Sequence, residues 1–274
     1  MRTTTRAPHR AAKLNPLMTN STSGETVLDR VLRILSAFDA QRRHVTVAEL
    51  AQLTDIPLAT TYRLVGQLAD EDILTRYPDG SIGLGMRLWE LAARSSPALS
   101  LRTAAMPFLD DVQSIFRQHT QLSVLDAHEL LVVERLSSRR SVVNQATVAT
   151  RMPVHTVSMG LVQLAFQPQH VIDDYFRHYP EARQLSYPGT GTMANTLAKI
   201  RQDGFAMLDG MLDDGTTGAA VPVFDKPTGR NRIAIAAISV VIPEDFEPRS
   251  AVIPVLMAAS RGLTRALHPG ADSR

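Results

Sequence analysis

Thr46-Val47-Ala48-Glu49-Leu50-Ala51-Gln52-Leu53-Thr54-Asp55-Ile56-Pro57-Leu58-Ala59-Thr60-Thr61-Tyr62-Arg63-Leu64-Val65-Gly66-Gln67-Leu68 holds two helices and the tight break between them. Thr46 and Glu49 form a capping box, in which the threonine hydroxyl and the glutamate carboxylate each satisfy an amide that the first turn leaves unpaired. The short helix they open buries Leu50, Ala51 and Leu53. Thr54-Asp55-Ile56-Pro57 ends it, and Pro57 suits the start of a new helix because its fixed φ and missing amide cost little there. That second helix, about 58–70, has a core face of Thr61, Leu64, Val65 and Leu68, with Ala59, Thr60, Arg63 and Gln67 pointing the other way. A small, polar, Arg-bearing outer face is what reading the major groove of DNA requires, since bulky side chains would hold the backbone off the base edges.

The flanks extend the pattern. Upstream, Val27, Val31, Ile34, Leu35 and Phe38 recur at helical spacing and predict an amphipathic helix over 25–39, followed by the polar break Gln41-Arg42-Arg43-His44. Downstream, Ile73 and Leu74 lead through Thr75-Arg76-Tyr77 into the turn Pro78-Asp79-Gly80 and out through Ser81-Ile82-Gly83-Leu84, a β-hairpin. A hairpin after a helix-turn-helix is a wing, and Arg76 near its base is placed to reach a phosphate or the minor groove. An ordinary three-helix bundle with a hairpin would use the same pattern. Charge favours the DNA-facing reading: residues 1–43 hold eight Arg or Lys against Glu25, Asp29 and Asp39, a local +5 on a chain of net +2. Residues 1–24, with Arg2, Arg6, Arg10 and Lys13 and no acid, read as a flexible basic arm; a targeting segment would also be Arg-rich, but this one lacks an apolar helical face.

At 274 residues the chain exceeds one usual domain. Absence of cysteine excludes disulfides, thiolate metal sites and cysteine nucleophiles, and suits a cytoplasmic protein. The longest nearly apolar run, Ile233 to Ile242, is too short to span a bilayer and reads as a buried strand, so no membrane partner is expected. The winged helix-turn-helix is assigned to 25–85 and a linker helix to 86–97, its apolar face Leu88, Leu91 and Ala92. A long helix over 99–118, with Met106, Leu109, Val112, Ile115 and Phe116 inward, opens the second domain, 98–268. Strands are expected at 122–125, 130–136, 205–208, 219–224 and 233–242, with helices at 158–166, 171–179, 195–203 and 251–266; 269–274 is a tail. Interleaved strands and helices predict an α/β or α+β domain on an antiparallel or mixed sheet.

At this point the chain resembles the IclR-type bacterial transcription regulators over nearly its whole length. The resemblance runs through Leu32-Arg33-Ile34-Leu35, Val47 to Ala51, Pro57 to Leu64, and the wing exit Ile82-Gly83-Leu84-Gly85-Met86-Arg87-Leu88-Trp89-Glu90-Leu91. It continues through Met152-Pro153-Val154-His155, Gly160, Leu164-Ala165, Gly204 to Asp225 and Ala236-Ala237-Ile238-Ser239. It implies an α+β protein in which the winged helix-turn-helix is joined by the linker helix to a GAF-like effector-binding domain. It also implies a homodimer through the DNA-binding domains, often paired again as a dimer of dimers, on a palindromic operator. Where the family often carries a basic residue before Ser-Thr in the recognition helix, Leu58 and Ala59 precede Thr60 here, so base readout is expected to lean on Thr60, Thr61, Tyr62 and Arg63. Thr46, Ala59, Gln67 and Arg76 complete the expected DNA-binding set. Effector positions carried over are Ser158, Met159, Gly160, Leu208, Gly218, Ala220, Ser239 and Val241. Ser158 and Ser239 keep hydroxyls, whereas Met159, Leu208, Gly218 and Val241 make the site roomier and more apolar, which favours an aromatic or other apolar acid over a two- or three-carbon acid.

No metal, cofactor or catalytic signature stands out: there is no His-Glu-x-x-His, phosphate-binding Gly loop or Gly-x-Ser-x-Gly elbow. Asp209, Asp213 and Asp214 lack EF-hand spacing and read as a solvated pocket-edge loop, His155 as a packing histidine, and Ser158 and Ser239 as hydroxyl donors without a base partner. The expected function is a sequence-specific transcription regulator, a repressor of a catabolic operon, controlled by a small organic effector. The alternative kept open is an enzyme that turns over a small molecule in the α/β part and carries an accessory DNA-binding domain.

Overall fold

The computed structural model describes residues 24–269 except Ala40, Arg140, Val143, Gln145, Pro188, Leu212 and Arg230. The expected basic arm, Gly24 apart, and residues 270–274 of the expected tail therefore lie outside the described residues. The chain divides between Leu99 and Ser100 into two compact units.

The first unit opens with α1 (Val27–Ser36), started by a capping box of Thr26 and Asp29. A second such box, Thr46 with Glu49, starts α2 (Val47–Thr54). Asp55 then takes a left-handed conformation (φ 51°, ψ 39°) that turns the chain, and α3 (Leu58–Asp70) follows with Pro57 at its N-cap. Ile34, Leu50, Leu64 and Val65 meet Leu74 and Ile82 in one small core. Val27, expected to face that core, is exposed instead, because it sits in the first turn of α1.

The wing is β1 (Leu74–Arg76) paired antiparallel with β2 (Ile82–Leu84), Thr75 opposite Gly83. Its turn closes through the Gly80 amide donating to Tyr77 O (3.0 Å), and Gly80 holds φ 81°, a value that glycine adopts without the clash a Cβ would meet. Val45, just before α2, exchanges both backbone hydrogen bonds with Ile82 (3.0 and 2.7 Å) and adds a third rung to the wing. A single bridging residue has no periodicity, so pattern reading passes over it. α4 (Met86–Ser95) leaves the wing.

In the second unit, α5 (Pro97–Phe116) buries Ala105, Leu109, Val112 and Phe116, at helical spacing; Ile115, expected inward, is exposed. A six-stranded sheet follows in the order β5-β4-β3-β10-β9-β8, antiparallel at every pairing. Its strands are β3 (His119–Asp126), β4 (Glu129–Leu136), β5 (Arg151–Pro153), β8 (Ala206–Asp209), β9 (Thr216–Phe224) and β10 (Ala234–Pro243). Both faces of β10 are buried, Ala237 and Ser239 on one side, Ile238 and Val240 on the other, which explains its near-continuous apolar run. α6 (Ser158–Ala165), buried along its entire length, packs on β9 and β10. α7 (Gln169–His178), α8 (Met193–Asp203) and α9 (Val252–Leu267) complete the unit, with the two-residue strands β6 (Ser186–Tyr187) and β7 (Gly191–Thr192) between α7 and α8. β5, β6 and β7 were not anticipated, being too short to show alternation.

Candidate functional site

The outer face of α3 presents Ala59, Tyr62, Arg63 and Gln67 to solvent, one stripe at i, i+3, i+4 and i+8. The helix has no acid in its first turn, so its positive dipole end is not neutralised. Arg63 Nη1 donates to Gln67 Oε1 (3.0 Å) along the stripe. Tyr62 is 52% exposed, and Leu58 beside the stripe is also exposed. Arg76 stands exposed on β1, and the wing beside it is braced by His44 stacked on Tyr77, ring centroids 4.3 Å apart. Thr60 is half-buried. Two of the expected residues are placed differently. Thr61 is fully buried, and its hydroxyl lies 3.3 Å from both Ile56 O and Pro57 O, so it secures the break between α2 and α3 and does not face outward. Thr46 is exposed, but its hydroxyl donates to Glu49 Oε2 (2.8 Å) and accepts from the Glu49 amide (3.2 Å), which commits it to the cap.

The second unit contains a small cavity that opens to solvent beside the N-terminal end of α6. Strand register builds its floor. One cross-strand row runs His119, Val241, Gly218, Leu208 and the next runs Gln121, Ser239, Ala220, Ala206. Side chains two apart on a strand share a face, so both rows look toward α6. Thr156, Val157, Ser158 and Met159 supply one wall at the N-terminal end of α6, Asn144, Met211 and Asp213 reach it from loops, and Thr216 from the start of β9. Gly218 is what keeps the floor open beside that wall, because a Cβ there would meet Ser158 Oγ at 3.0 Å.

The polar groups in the wall differ in how well they are satisfied. Ser239 Oγ donates to Met159 Sδ (3.6 Å), and Thr216 Oγ1 to Asp213 O (2.7 Å). Asn144 Oδ1 accepts from the Ala146 amide (2.9 Å), but its Nδ2 is buried with no partner among the described residues. Gln121 is fully buried, and neither its Nε2 nor its Oε1 has a partner among them. His119, next to Gln121 on the same face, accepts or donates at Ser137 Oγ (2.8 Å) through Nδ1 and faces Val142 O through Nε2. A carbonyl only accepts, so Nε2 carries the proton. Burial pushes the His119 pKa below the ordinary histidine value; the Val142 carbonyl opposes that, Arg135 adds to it and Asp213 opposes it.

Comparison with known proteins identifies the arrangement. Residues 27–78 match the IclR helix-turn-helix domain, and residues 95–261 match the family described as "Bacterial transcriptional regulator IclR C-terminal". The chain belongs to the IclR family of bacterial transcriptional regulators. Among solved structures, an IclR homologue from Microbacterium hydrocarbonoxydans complexed with 4-hydroxybenzoate is 35% identical and superposes with a TM-score of 0.77, over 88% of this chain and 99% of that one. An IclR homologue from Microbacterium sp. strain HM58-2 is 34% identical, TM-score 0.53, over 90% of this chain and 99% of its own. The Pca regulon regulatory protein of Pseudomonas putida is 26% identical over 88% of this chain and 84% of its own.

As an IclR-family regulator, the protein carries its helix-turn-helix DNA-binding element in the first unit and its IclR C-terminal domain in the second. Six of the eight positions read from sequence for the effector, Ser158, Met159, Leu208, Gly218, Ser239 and Val241, come together on the cavity wall. Gly160 and Ala220 do not line it. Gly160 packs on the turn before α6, where a Cβ would stand 2.3 Å from Val154 O, so only glycine fits. Ala220 is fully enclosed in the core. Gln121, Asn144, Thr156, Val157, Met211 and Thr216 line the cavity and were not anticipated, whereas Asp213 lines it from the loop read as the pocket edge. Gln121 sits in a strand, His119–Asp126, that mixes polar and apolar residues, and so left no separate signal. Ser158 and Ser239 form no hydrogen bond to a histidine or carboxylate among the described residues, and His155 Nδ1 is taken by the Tyr175 hydroxyl at 2.6 Å. No helix among the described residues is long and apolar enough to cross a membrane.

Proposed function

We propose that this IclR-family protein represses a catabolic operon, binds a palindromic operator as a dimer through the outer face of α3, and is controlled by an aromatic carboxylic acid held in the cavity of the second unit. One observation carries the effector class: the wall is built from Met159, Leu208, Met211, Val157 and Val241, with a glycine at 218 where a side chain would narrow it. A two- or three-carbon acid would leave most of that apolar surface without contact, whereas an aromatic ring covers it. The 4-hydroxybenzoate complex of the Microbacterium hydrocarbonoxydans homologue supports the same class.

In this reading the carboxylate lies at the N-terminal end of α6. The first-turn amides of Ser158 and Met159 have no partner within the helix, and the helix dipole favours negative charge there. Ser158 Oγ is close enough to add a donor. On the DNA side, Arg63 and Gln67 contact bases or phosphates, and Arg76 on the wing contacts the backbone.

Isothermal titration of the full chain with benzoate and its ring-substituted relatives, against glyoxylate and pyruvate, tests the effector. An aromatic acid at a hundred times its dissociation constant also stabilises the protein by about 2.7 kcal/mol. Tight binding of glyoxylate or pyruvate with none of any aromatic acid overturns the reading. Gel-shift assays on the intergenic DNA beside the gene, with and without the acid, test the operator, and a promoter reporter fixes the sign of regulation.

A further inference from the structure

We propose that Gln121 and Asn144 form the specificity end of the cavity and recognise a hydroxyl on the effector, at the end away from its carboxylate. The inference rests on the aromatic-acid reading above. It comes from the amides that the fold leaves open. Gln121 lies directly opposite Ser239 in the β3–β10 register and has no solvent exposure, yet both ends of its amide are unpaired among the described residues. Other glutamine amides of the same unit are engaged at one end at least: Gln163 Nε2 donates to Ser123 Oγ (3.0 Å) and Met159 O (3.1 Å), although its Oε1 is also unpaired among the described residues, and Gln118 Oε1 accepts from the Val142 amide (3.1 Å). Burying an amide with no partner is costly, and strands ordinarily avoid it.

The inventory of open groups selects the ligand chemistry. Asn144 is oriented by the bond that its Oδ1 accepts from the Ala146 amide, so only its donor, Nδ2, remains. With Gln121 the cavity offers two donors and one acceptor. A carboxylate would satisfy the donors and leave Gln121 Oε1 facing an anion. An ammonium would satisfy the acceptor and leave the donors open. A hydroxyl donates once and accepts through its lone pairs, so it satisfies all three. Asp213 on the same wall further disfavours a second carboxylate. The anionic end of the effector is thereby directed to α6 and the hydroxyl to β3.

The test is calorimetric titration of the full chain with benzoate, 4-fluorobenzoate and the three monohydroxybenzoates. One hydroxylated isomer is expected to bind roughly ten-fold or more tightly than benzoate, and 4-fluorobenzoate, which cannot donate, to bind like benzoate. In Gln121→Met, a side chain of similar length without the amide, the advantage of that isomer over benzoate, both measured on the variant, falls to about two-fold or less. Asn144→Ala lessens the advantage to a smaller degree, and melting curves establish that both variants are folded. Equal affinity for benzoate and all three hydroxybenzoates, or an unchanged preference in Gln121→Met, overturns the assignment and leaves the aromatic-acid reading intact. Failure of every ring acid to bind overturns both.

Discussion

A glutamine amide buried with both ends open opposes folding of the ligand-free protein, and that cost is measurable apart from any ligand. Gln121→Met removes two unpaired polar atoms at nearly constant volume, so the ligand-free variant is expected to be more stable by about 1 kcal/mol, read as a melting temperature raised by roughly 2–4 °C. A lowered melting temperature would mean that the amide is satisfied in the ligand-free state. On the DNA side the expected pattern is the reverse. Arg63 is exposed and, among the described residues, bonded to Gln67 alone, so Arg63→Ala should leave thermal unfolding within about 0.5 kcal/mol of the parent and weaken operator binding by roughly ten-fold. Gel shifts with unchanged affinity would remove Arg63 from the interface. What sequence made legible at this scale depended on how local the determinant is. Ser158, Met159, Ser239 and Val241 were placed through the family resemblance, and the structure brings them together because one pair alternates on a strand and the other opens a helix. Asn144 and Met211 reach the cavity from loops without periodicity, and no spacing rule places them. Thr61 was readable both as a core residue and as a base reader, and the structure buries it.

At the scale of elements, two helices of the first unit carry apolar surface that no described residue covers. α1 exposes Val27, Leu28 and Leu32, and α4 exposes Met86, Trp89 and Leu91. Large exposed apolar side chains clustered on helices mark contact surfaces, and a two-fold contact between identical chains uses the same patch twice. Trp89 is the chain's only tryptophan and is 63% exposed, so its fluorescence reports on this surface directly. Dilution is expected to shift the Trp89 emission to longer wavelength as a dimer dissociates, and Trp89→Glu to give a folded monomer by sedimentation, with operator affinity reduced at least ten-fold. A Trp89→Glu chain that sediments as the parent would exclude α4 from the contact. Element positions were largely legible: α3 was read at 58–70 and found at Leu58–Asp70, and the wing strands fell where the Pro-Asp-Gly turn put them. Caps and turns carry such information locally, in residues that satisfy their own backbone. The bridge of Val45 to Ile82 and the short pair β6–β7 depend on partners distant in sequence or on two residues alone, and left no local trace.

For the whole molecule, protonation separates two sources of pH dependence. In the first unit Asp29, Asp39, Glu49 and Asp79 have pKa values below the ordinary carboxylate range, each held there by hydrogen bonds to a cap or turn. Such groups stabilise the fold above about pH 4 and lose that contribution only as pH falls through their folded values. The second unit holds two histidines shifted in the sense that matters at milder acidity. Burial lowers the pKa of His119, and burial also lowers that of His155, opposed by Glu181. For both, the unfolded chain binds the proton more readily than the folded one. Stability therefore stays level above about pH 6.5, the unfolded value, and declines as pH drops below it toward the folded values. The melting temperature at pH 5 is accordingly expected to lie below that at pH 7.5, well before the carboxylates titrate. His119→Gln, which keeps a donor for Val142 O and cannot take up a proton, should flatten part of this slope. His119 shares a strand row with Val241 and Gly218 and bonds Ser137 and Val142, so the desolvation cost of charging its ring falls at one edge of the cavity. Effector binding, measured over the same range, should weaken below pH 6.5 in the parent chain and less so in His119→Gln. A pH profile identical in the two proteins would show that His119 does not link acidity to the cavity.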